Sequence, residues 1–451
     1  YIEQILQLMI LLLKREIMKI SLINHGCAKN LVDAELMLGM LAKKGYTITL
    51  DETDADIVIV NTCSFIHDAE KESVQSILQM IDEGKKVIVT GCLSQKHDKD
   101  LKDAIPELAG MIGTSNLKDV VKIVDDIAKG KEYESIIDKD PKYIYPEDIE
   151  RQQITVGASS YLKIGEGCNY QCGYCIIPKL RGKYISRPIE NIVKEANELV
   201  NKGVTEIILI AQDTSSYGID LYGKQALPEL LKELNKIENL SWIRIMYAYP
   251  TQMTDELIDA IAKLDKVVKY VDIPLQHSHP RVLESMRRPV MDYRKLVAKI
   301  RERIPNVSVR TSLIVGYPGE TEEEFEDLYQ FVKDVKFDRM GAFEYSREKG
   351  TYSDKLKGHL SEKVKRERRD RLMKLQQQIS LENNEKYIGS TIKCIVEGYT
   401  DDGIVILRSE HDAPEIDGVV YAKSNEPVVP GDIEEVKITR ADEYDLFGEI
   451  V

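Results

Sequence analysis

Glu166-Gly167-Cys168-Asn169-Tyr170-Gln171-Cys172-Gly173-Tyr174-Cys175 carries three thiols in C-x3-C-x2-C spacing, directly after a β-rich run at Tyr161 to Gly165. Three thiolates on one short loop suit three irons of a 4Fe–4S cluster, whereas electron-transfer clusters use four. The fourth iron is then left open, a Lewis-acid position where a chelating substrate binds. A structural zinc site is the bland alternative, but such sites are closed by a fourth protein ligand, and none lies within the loop.

Outward from that loop the chain alternates strand and helix patterns. Further strands are expected at Glu206 to Ala211, Ser241 to Ala248, Tyr270 to Leu275, Ser308 to Gly316 and Arg339 to Tyr345. This gives six βα units, a partial (βα)6 barrel over residues 154–385 that falls short of the eight units of a full barrel. Upstream, Lys19 to Asn24, Ile57 to Asn61 and Lys86 to Thr90 each precede an amphipathic stretch (Leu31 to Lys44, Ala69 to Glu83, Gln95 to Ala104). Strands separated by helices predict a parallel, doubly wound α/β domain over 18–137. Residues 138–153, with two Pro and several charges, read as a linker. Ser361 to Tyr387 is a charged helical run. Residues 386–451 turn to short Val/Ile/Thr-rich strands with Asp-Gly and Pro-Gly turns, the pattern of a small β-barrel.

Composition agrees with a folded protein of several domains: 451 residues, 43% hydrophobic, 31% charged, formal charge −14. That charge excludes the whole-chain basicity of a protein wrapped around nucleic acid. Seven Cys, unevenly clustered, do not make a secreted disulfide scaffold and point to metal or redox chemistry in a reducing compartment. The apolar run Ile5 to Leu13 is too short to span a bilayer. Glu3 precedes it and Lys14-Arg15 follow it, the reverse of a secretory signal. A cytoplasmic chain with no membrane partner is expected, with residues 1–17 an extension and Met18 the natural start.

The other cysteine group is scattered. Cys27, Cys63 and Cys92 each sit two or three residues past a predicted parallel strand, in Asn24-His25-Gly26-Cys27, Asn61-Thr62-Cys63 and Thr90-Gly91-Cys92. Loops at the carboxyl ends of an open parallel sheet share one edge, where ligands bind. Three thiols are therefore expected to converge on a second 4Fe–4S cluster with one free iron. The plainer reading, three small buried residues, does not account for their matching places after three strands. Cys394 stands alone and reads as a core strand residue.

The C-x3-C-x2-C spacing resembles that of the radical S-adenosylmethionine superfamily. That resemblance implies that Tyr174 packs near the adenine. Later strand ends would hold the rest of the cofactor: Gln212 and Asp213 at the methionine amino group, Gln276 on its own strand end, and Ile314 to Gly316 beside the adenine. Two three-Cys clusters, a flavodoxin-like N-terminal domain and a small TRAM-like barrel together resemble the radical methylthiotransferases, over nearly the full length from Met18. Gly26-Cys27-Ala28-Lys29-Asn30-Leu31-Val32-Asp33-Ala34-Glu35 is similar to the RimO branch (G-C-P-K-N-x-V-D-S-E) and unlike the tRNA-modifying MiaB branch (G-C-Q-M-N). Ala28 stands for the usual Pro and Ala34 for the usual Ser.

The resemblance implies an enzyme with two 4Fe–4S clusters facing each other and S-adenosylmethionine as cofactor. Its product would be 3-methylthioaspartate in small-subunit ribosomal protein number twelve, formed by removing a hydrogen from the aspartate β-carbon. It implies an electron donor such as flavodoxin or ferredoxin, and assigns neither a sulfur donor nor a catalytic side chain. The charge of the tail agrees: residues 386–451 hold 6 Lys or Arg against 15 Asp or Glu. An RNA-binding barrel needs a basic face for phosphate, whereas this one suits a basic protein. The alternatives are a tRNA adenosine methylthiotransferase of the same fold and a non-catalytic iron–sulfur electron carrier.

Overall fold

In the computed structural model, which describes residue 4 and residues 18–64, 67–154 and 157–451, the Val- and Ile-rich runs of the N-terminal third form a parallel sheet. Its strands are β1 (Lys19–Asn24), β2 (Thr47–Ile48), β3 (Ile57–Thr62), β4 (Lys86–Gly91), β5 (Gly110–Ile112) and β6 (Glu134–Ile136). They are ordered β2-β1-β3-β4-β5-β6, the flavodoxin-like order with one strand added. β3 is buried along its whole length, because helices cover both faces of such a sheet and no alternation of polar residues is needed. Helices Ala28–Lys43, His67–Asp82, Cys92–Ala104 and Val120–Ala128 follow the strands. The expected N-terminal extension lies outside the described residues, residue 4 apart.

By contact the chain divides into two units. One holds the described residues up to 154 with Glu166–Asn169 and Ile177–Ile185; the other holds Gly157–Gly165, Tyr170–Ile176 and Ser186–Val451. The chain passes from one to the other inside the C-x3-C-x2-C loop, between Asn169 and Tyr170. Residues 138–153, read as a linker, form no helix or strand but are tied to the first unit. Tyr143 donates its hydroxyl to Asp33 at 2.9 Å, and Arg151 pairs with Glu35 at 2.8 Å, both side chains buried.

In the second unit, β7 (Ser159–Lys163), β8 (Glu206–Ile210) and β9 (Trp242–Ile245) form one parallel sheet in the order β9-β8-β7. β10 (Tyr270–Asp272), β11 (Ser308–Val315) and β12 (Arg339–Glu344) form another. The strand expected to run to Ala248 stops at Ile245, since Tyr247 takes a left-handed φ of 64°. Its amide then donates to the Asp272 carboxylate at 2.9 Å, and the Ala248 amide to the Asp272 carbonyl at 2.9 Å. This stitches the end of β9 to β10, a strand of the other sheet with which it shares no ladder.

Helix Glu362–Asn384 starts at Ser361, whose hydroxyl accepts the Val364 amide, and buries Leu372, Leu375 and Ile379. It is not simply a solvated charged helix: Lys365 and Arg368 are buried too, Arg368 on Glu320 at 2.6 Å. The tail closes into a barrel of β13 (Thr391–Tyr399), β14 (Val405–Ser409), β15 (Val420–Lys423), β16 (Ile433–Ala441) and β17 (Leu446–Ile450), ordered β13-β14-β15-β17-β16. Cys394 is fully buried in its core beside Val396, Leu407, Val436 and Ile438. Among the described residues no helix is long and apolar enough to cross a membrane.

Candidate metal and cofactor centres

Strand register brings the N-terminal cysteine loops to one edge. Asn24 of β1 lies beside Asn61 of β3, which lies beside Thr90 of β4; Cys27, Cys63 and Cys92 follow these residues by three, two and two positions. Amides and hydroxyls fasten the loops together. Asn61 Nδ2 donates to Asn24 Oδ1 at 3.0 Å and to the Asn30 carbonyl at 2.7 Å, while Asn30 Nδ2 donates to the Thr62 carbonyl at 2.9 Å. Thr62 Oγ1 donates to the Thr90 carbonyl at 2.5 Å and accepts the Leu93 amide at 3.2 Å. Gly91, at φ +95°, passes so close that a Cβ there would lie 2.4 Å from the Thr62 carbonyl oxygen.

Cys27 is exposed, Cys63 half-buried and Cys92 buried. Burial around Cys27 opposes its ionisation, but Lys29, Arg181 and the backbone amides of Asn30 and Lys29 outweigh it and hold the thiol below its ordinary range. Burial pushes the Cys92 thiol up, against the pull of Arg181. Among the described residues no three His, Cys, Asp or Glu side chains gather tightly enough to hold a single metal ion. A four-iron cluster asks for less, because each thiolate binds its own iron. The donor set fits: three thiols on a common edge, with Cys27 and Cys92 close enough to perturb each other's charge.

Arg181 enters this edge from the helix Ile177–Arg181. Its Nη1 donates to Asp33 at 3.1 Å and Glu166 at 3.0 Å, its Nη2 to Asn30 Oδ1 and, at 3.8 Å, to Cys92 Sγ. The backbone after it receives the Cys168 amide, bonded to the Gly182 carbonyl at 3.1 Å.

Cys172 and Cys175 are fixed within the second unit. The Cys175 amide bonds the Cys172 carbonyl at 3.0 Å, and Gly173 is held on both sides, by the Met286 carbonyl at 2.7 Å and the Ser353 amide at 2.8 Å. A Cβ at Gly173 would meet Tyr317 Oη at 2.9 Å and the Ser285 carbonyl at 3.1 Å. Arg288 reaches Cys172 Sγ at 3.9 Å and lies 4.3 Å over the Tyr249 ring, which stacks on Tyr170 at 3.7 Å. Burial pushes the Tyr174 phenol well up, with Arg288 opposing.

The expected cofactor residues fall on this same unit. Tyr174 and Ile314 pack against one apolar cluster of Val282, Met286, Tyr317 and Tyr345. Gln276, at φ 75°, donates its amide to the Ser312 carbonyl at 2.9 Å and receives the Ile314 amide at 2.8 Å. Gly316, at φ 74°, gives its amide to both Glu320 oxygens at 3.1 and 3.0 Å. Gln212 is half-buried just past β8. Asp213 is buried and its carboxylate is engaged by its own turn, accepting the Ser215 amide at 3.0 Å and the Ser215 and Ser216 hydroxyls. Burial nevertheless leaves its pKa raised.

Residues 162–332 match the Radical SAM superfamily, 19–113 the uncharacterized protein family UPF0004 and 388–451 the TRAM domain. The ribosomal protein uS12 methylthiotransferase RimO of Caldanaerobacter subterraneus subsp. tengcongensis is 49% identical, over 95% of this chain and 99% of its own. That of Clostridioides difficile is 46% identical, over 96% and 99%. The chain belongs to the RimO family. A solved structure of the radical S-adenosylmethionine methyltransferase TsrM from Kitasatospora setae shares the fold, at TM-score 0.55 and 14% identity over 72% of each chain.

Several residues of these candidate centres carry no sequence signal. Arg181 and Arg288 lie outside the cysteine motifs, and a lone Arg in a helix or loop gives no sequence signal of burial. Asn30, Asp33 and Glu35 stood in the branch motif, where spacing alone could not distinguish a structural pair from a surface charge. Asn61 was visible only as the end of a strand.

Proposed function

We propose that this chain is a radical S-adenosylmethionine methylthiotransferase that converts a C–H bond at the β-carbon of an aspartate of ribosomal protein uS12 into C–SCH3. Full-length similarity to proteins named uS12 methylthiotransferase carries the reading. Cys168, Cys172 and Cys175 would hold one 4Fe–4S cluster with an open iron for S-adenosylmethionine, and Cys27, Cys63 and Cys92 an auxiliary one. When bound, these groups would supply the electron that cleaves S-adenosylmethionine and the place where the methylthio sulfur is presented, its donor left unassigned. An unactivated C–H lies far outside the reach of any side-chain base, so no residue is assigned as one.

The chain's own part is to bind, orient and exclude water. Tyr174 and Ile314, on their shared apolar cluster, suit an adenine ring. The left-handed turns at Gln276 and Gly316 suit close approach of backbone to cofactor, and Gln212 and Asp213, just past β8, would face the methionine end, with the Asp213 oxygens also engaged by their own turn. Tyr170 and Tyr249 stack under Arg288, which contacts the Cys172 sulfur.

The acidic tail supports a basic protein substrate over tRNA. Part of that acidity is structural: Asp412 pairs with Arg339 at 2.6 Å and Asp417 accepts from Tyr270 at 2.6 Å. Exposed Asp401, Asp402, Glu415, Glu426, Glu435 and Glu449 remain to meet a partner. We place the reaction in the cytoplasm, with flavodoxin or ferredoxin as electron donor.

The test is anaerobic reconstitution with iron and sulfide, followed by incubation with uS12 and, separately, tRNA. About eight irons are expected in the parent and about four in a Cys27→Ala, Cys63→Ala, Cys92→Ala variant, which should keep 5'-deoxyadenosine formation and lose methylthio product. A methylthio group on an adenosine of tRNA, with none on uS12, would overturn the substrate assignment.

A further inference from the structure

We propose that Arg181 is a positioning residue of the auxiliary centre: its guanidinium orients the three N-terminal thiol loops and supplies the positive charge that sets how readily a cluster there accepts an electron. This rests on the reading that Cys27, Cys63 and Cys92 hold a cluster. It adds a role for a residue that no cysteine motif contains.

One side chain reaches two of the three loops directly and the third through Asn30. Nη2 lies 3.8 Å from Cys92 Sγ. The same nitrogen donates to Asn30 Oδ1, which is 3.7 Å from Cys27 Sγ. Asn30 in turn holds, at 2.9 Å, the carbonyl of Thr62, the residue before Cys63. Nη1 is taken by Asp33 and Glu166, so the planar fork is aimed, with one edge on carboxylates and the other on the cysteine edge.

The Arg181 side chain is only 3% exposed. Taking a guanidinium that far from water costs several kcal/mol unless partners satisfy it. Fastening loops does not require a charge, as the neutral Asn24–Asn61–Asn30 network at the same edge shows. A cation is called for where negative charge gathers, and three thiolates on iron gather it beside Asp33 and Glu166. Each added electron deepens that charge, so a fixed positive group in contact with a ligand sulfur favours the reduced state. Arg stays protonated throughout any working pH range, so its effect does not vary with pH.

The geometry predicts opposite signs for two substitutions. Removing the cation (Arg181→Gln) lowers the reduction potential of the auxiliary cluster; removing its counter-charge (Glu166→Gln) raises it. Arg181→Lys keeps the charge and falls between Arg181→Gln and the parent. A merely structural role would not produce shifts of opposite sign in cluster-loaded protein.

The experiment uses the full chain carrying Cys168→Ala, Cys172→Ala and Cys175→Ala, so that only the N-terminal trio remains, reconstituted anaerobically with iron and sulfide. Iron is quantified and the potential read by electron paramagnetic resonance during titration with dithionite. About four irons and the two opposed shifts are expected. Unchanged potentials in loaded Arg181→Gln and Glu166→Gln overturn the role of Arg181 and leave the cluster assignment standing. Failure of the parent to bind iron overturns the cluster assignment and this proposal with it. Should Arg181→Gln alone fail to load, Glu166→Gln decides: a raised potential supports the proposal and an unchanged one refutes it.

Discussion

Glu206, the first residue of β8, is fully buried between two arginines, Arg244 at 2.8 Å and Arg408, and accepts the Ser159 hydroxyl at 2.7 Å. Arg408 is carried by β14 of the C-terminal barrel, so this cluster ties that barrel to the start of β7, β8 and β9. Burial alone would raise the Glu206 pKa, but the arginines outweigh it and hold the carboxyl at about 2, against 4.5 ordinarily. A depression of about 2.5 units corresponds to about 3 kcal/mol favouring the ionised, folded form. Removing one member of a buried ion pair costs a similar ~3–5 kcal/mol, because the remaining charges lose their partner.

Glu206→Gln should therefore destabilise the second unit by about 3 kcal/mol at pH 7. The chain's single Trp, Trp242, is the register partner of Glu206 on β9 and reports on this very place. With m near 1–3 kcal/mol/M, the urea midpoint read by its fluorescence should fall by about 1–3 M. The sign with pH follows from the depressed folded pKa. The carboxylate's contribution is complete above about pH 4.5 and is lost as pH falls through about 2. The gap between wild type and Glu206→Gln should accordingly close in acid. Equal midpoints at pH 7, or a gap that stays constant down to pH 2, would refute the reasoning.

Three further outcomes are expected. Gly91→Ala, which places a Cβ 2.4 Å from the Thr62 carbonyl and forces a side chain into φ +95°, should separate the Cys63 and Cys92 loops. Reconstituted iron should drop from about eight toward four, measured by colorimetric iron assay. Asn61→Ala removes its side-chain hydrogen bonds to Asn24 and Asn30, costing about 1–3 kcal/mol in the first unit and lowering iron retention on gel filtration. Cys394→Val, a change inside the barrel core, should leave iron content and product yield at wild-type levels while shifting stability by less than about 1.5 kcal/mol; loss of iron would count against the assignment of six ligands.

What the sequence made legible follows from which features are local. The β1, β3 and β4 positions are short Val/Ile runs with a polar end, and strand register then carries Asn24, Asn61 and Thr90 to one edge. The cysteine loops could be placed there from spacing alone. Tyr247 and Gln276 were not legible, since a left-handed non-glycine residue is decided by what its backbone meets, here Asp272 and Ser312.

Buried charge is the other illegible class, for a physical reason. Arg181, Arg244, Arg368 and Arg408 have the composition of surface residues, and only a partner far along the chain makes their burial affordable in solvation terms. Arg408 meets Glu206 across 202 residues and Arg181 meets Asn30 across 151. No periodicity records such pairs. In the first unit the consequence bears on chemistry: the thiols proposed to bind metal sit in readable motifs, while the cation that contacts Cys92 is supplied by a helix whose sequence, Ile177 to Arg181, says nothing of cysteines. The proposed ligands are therefore a property of local spacing, and their electrostatic setting a property of the fold.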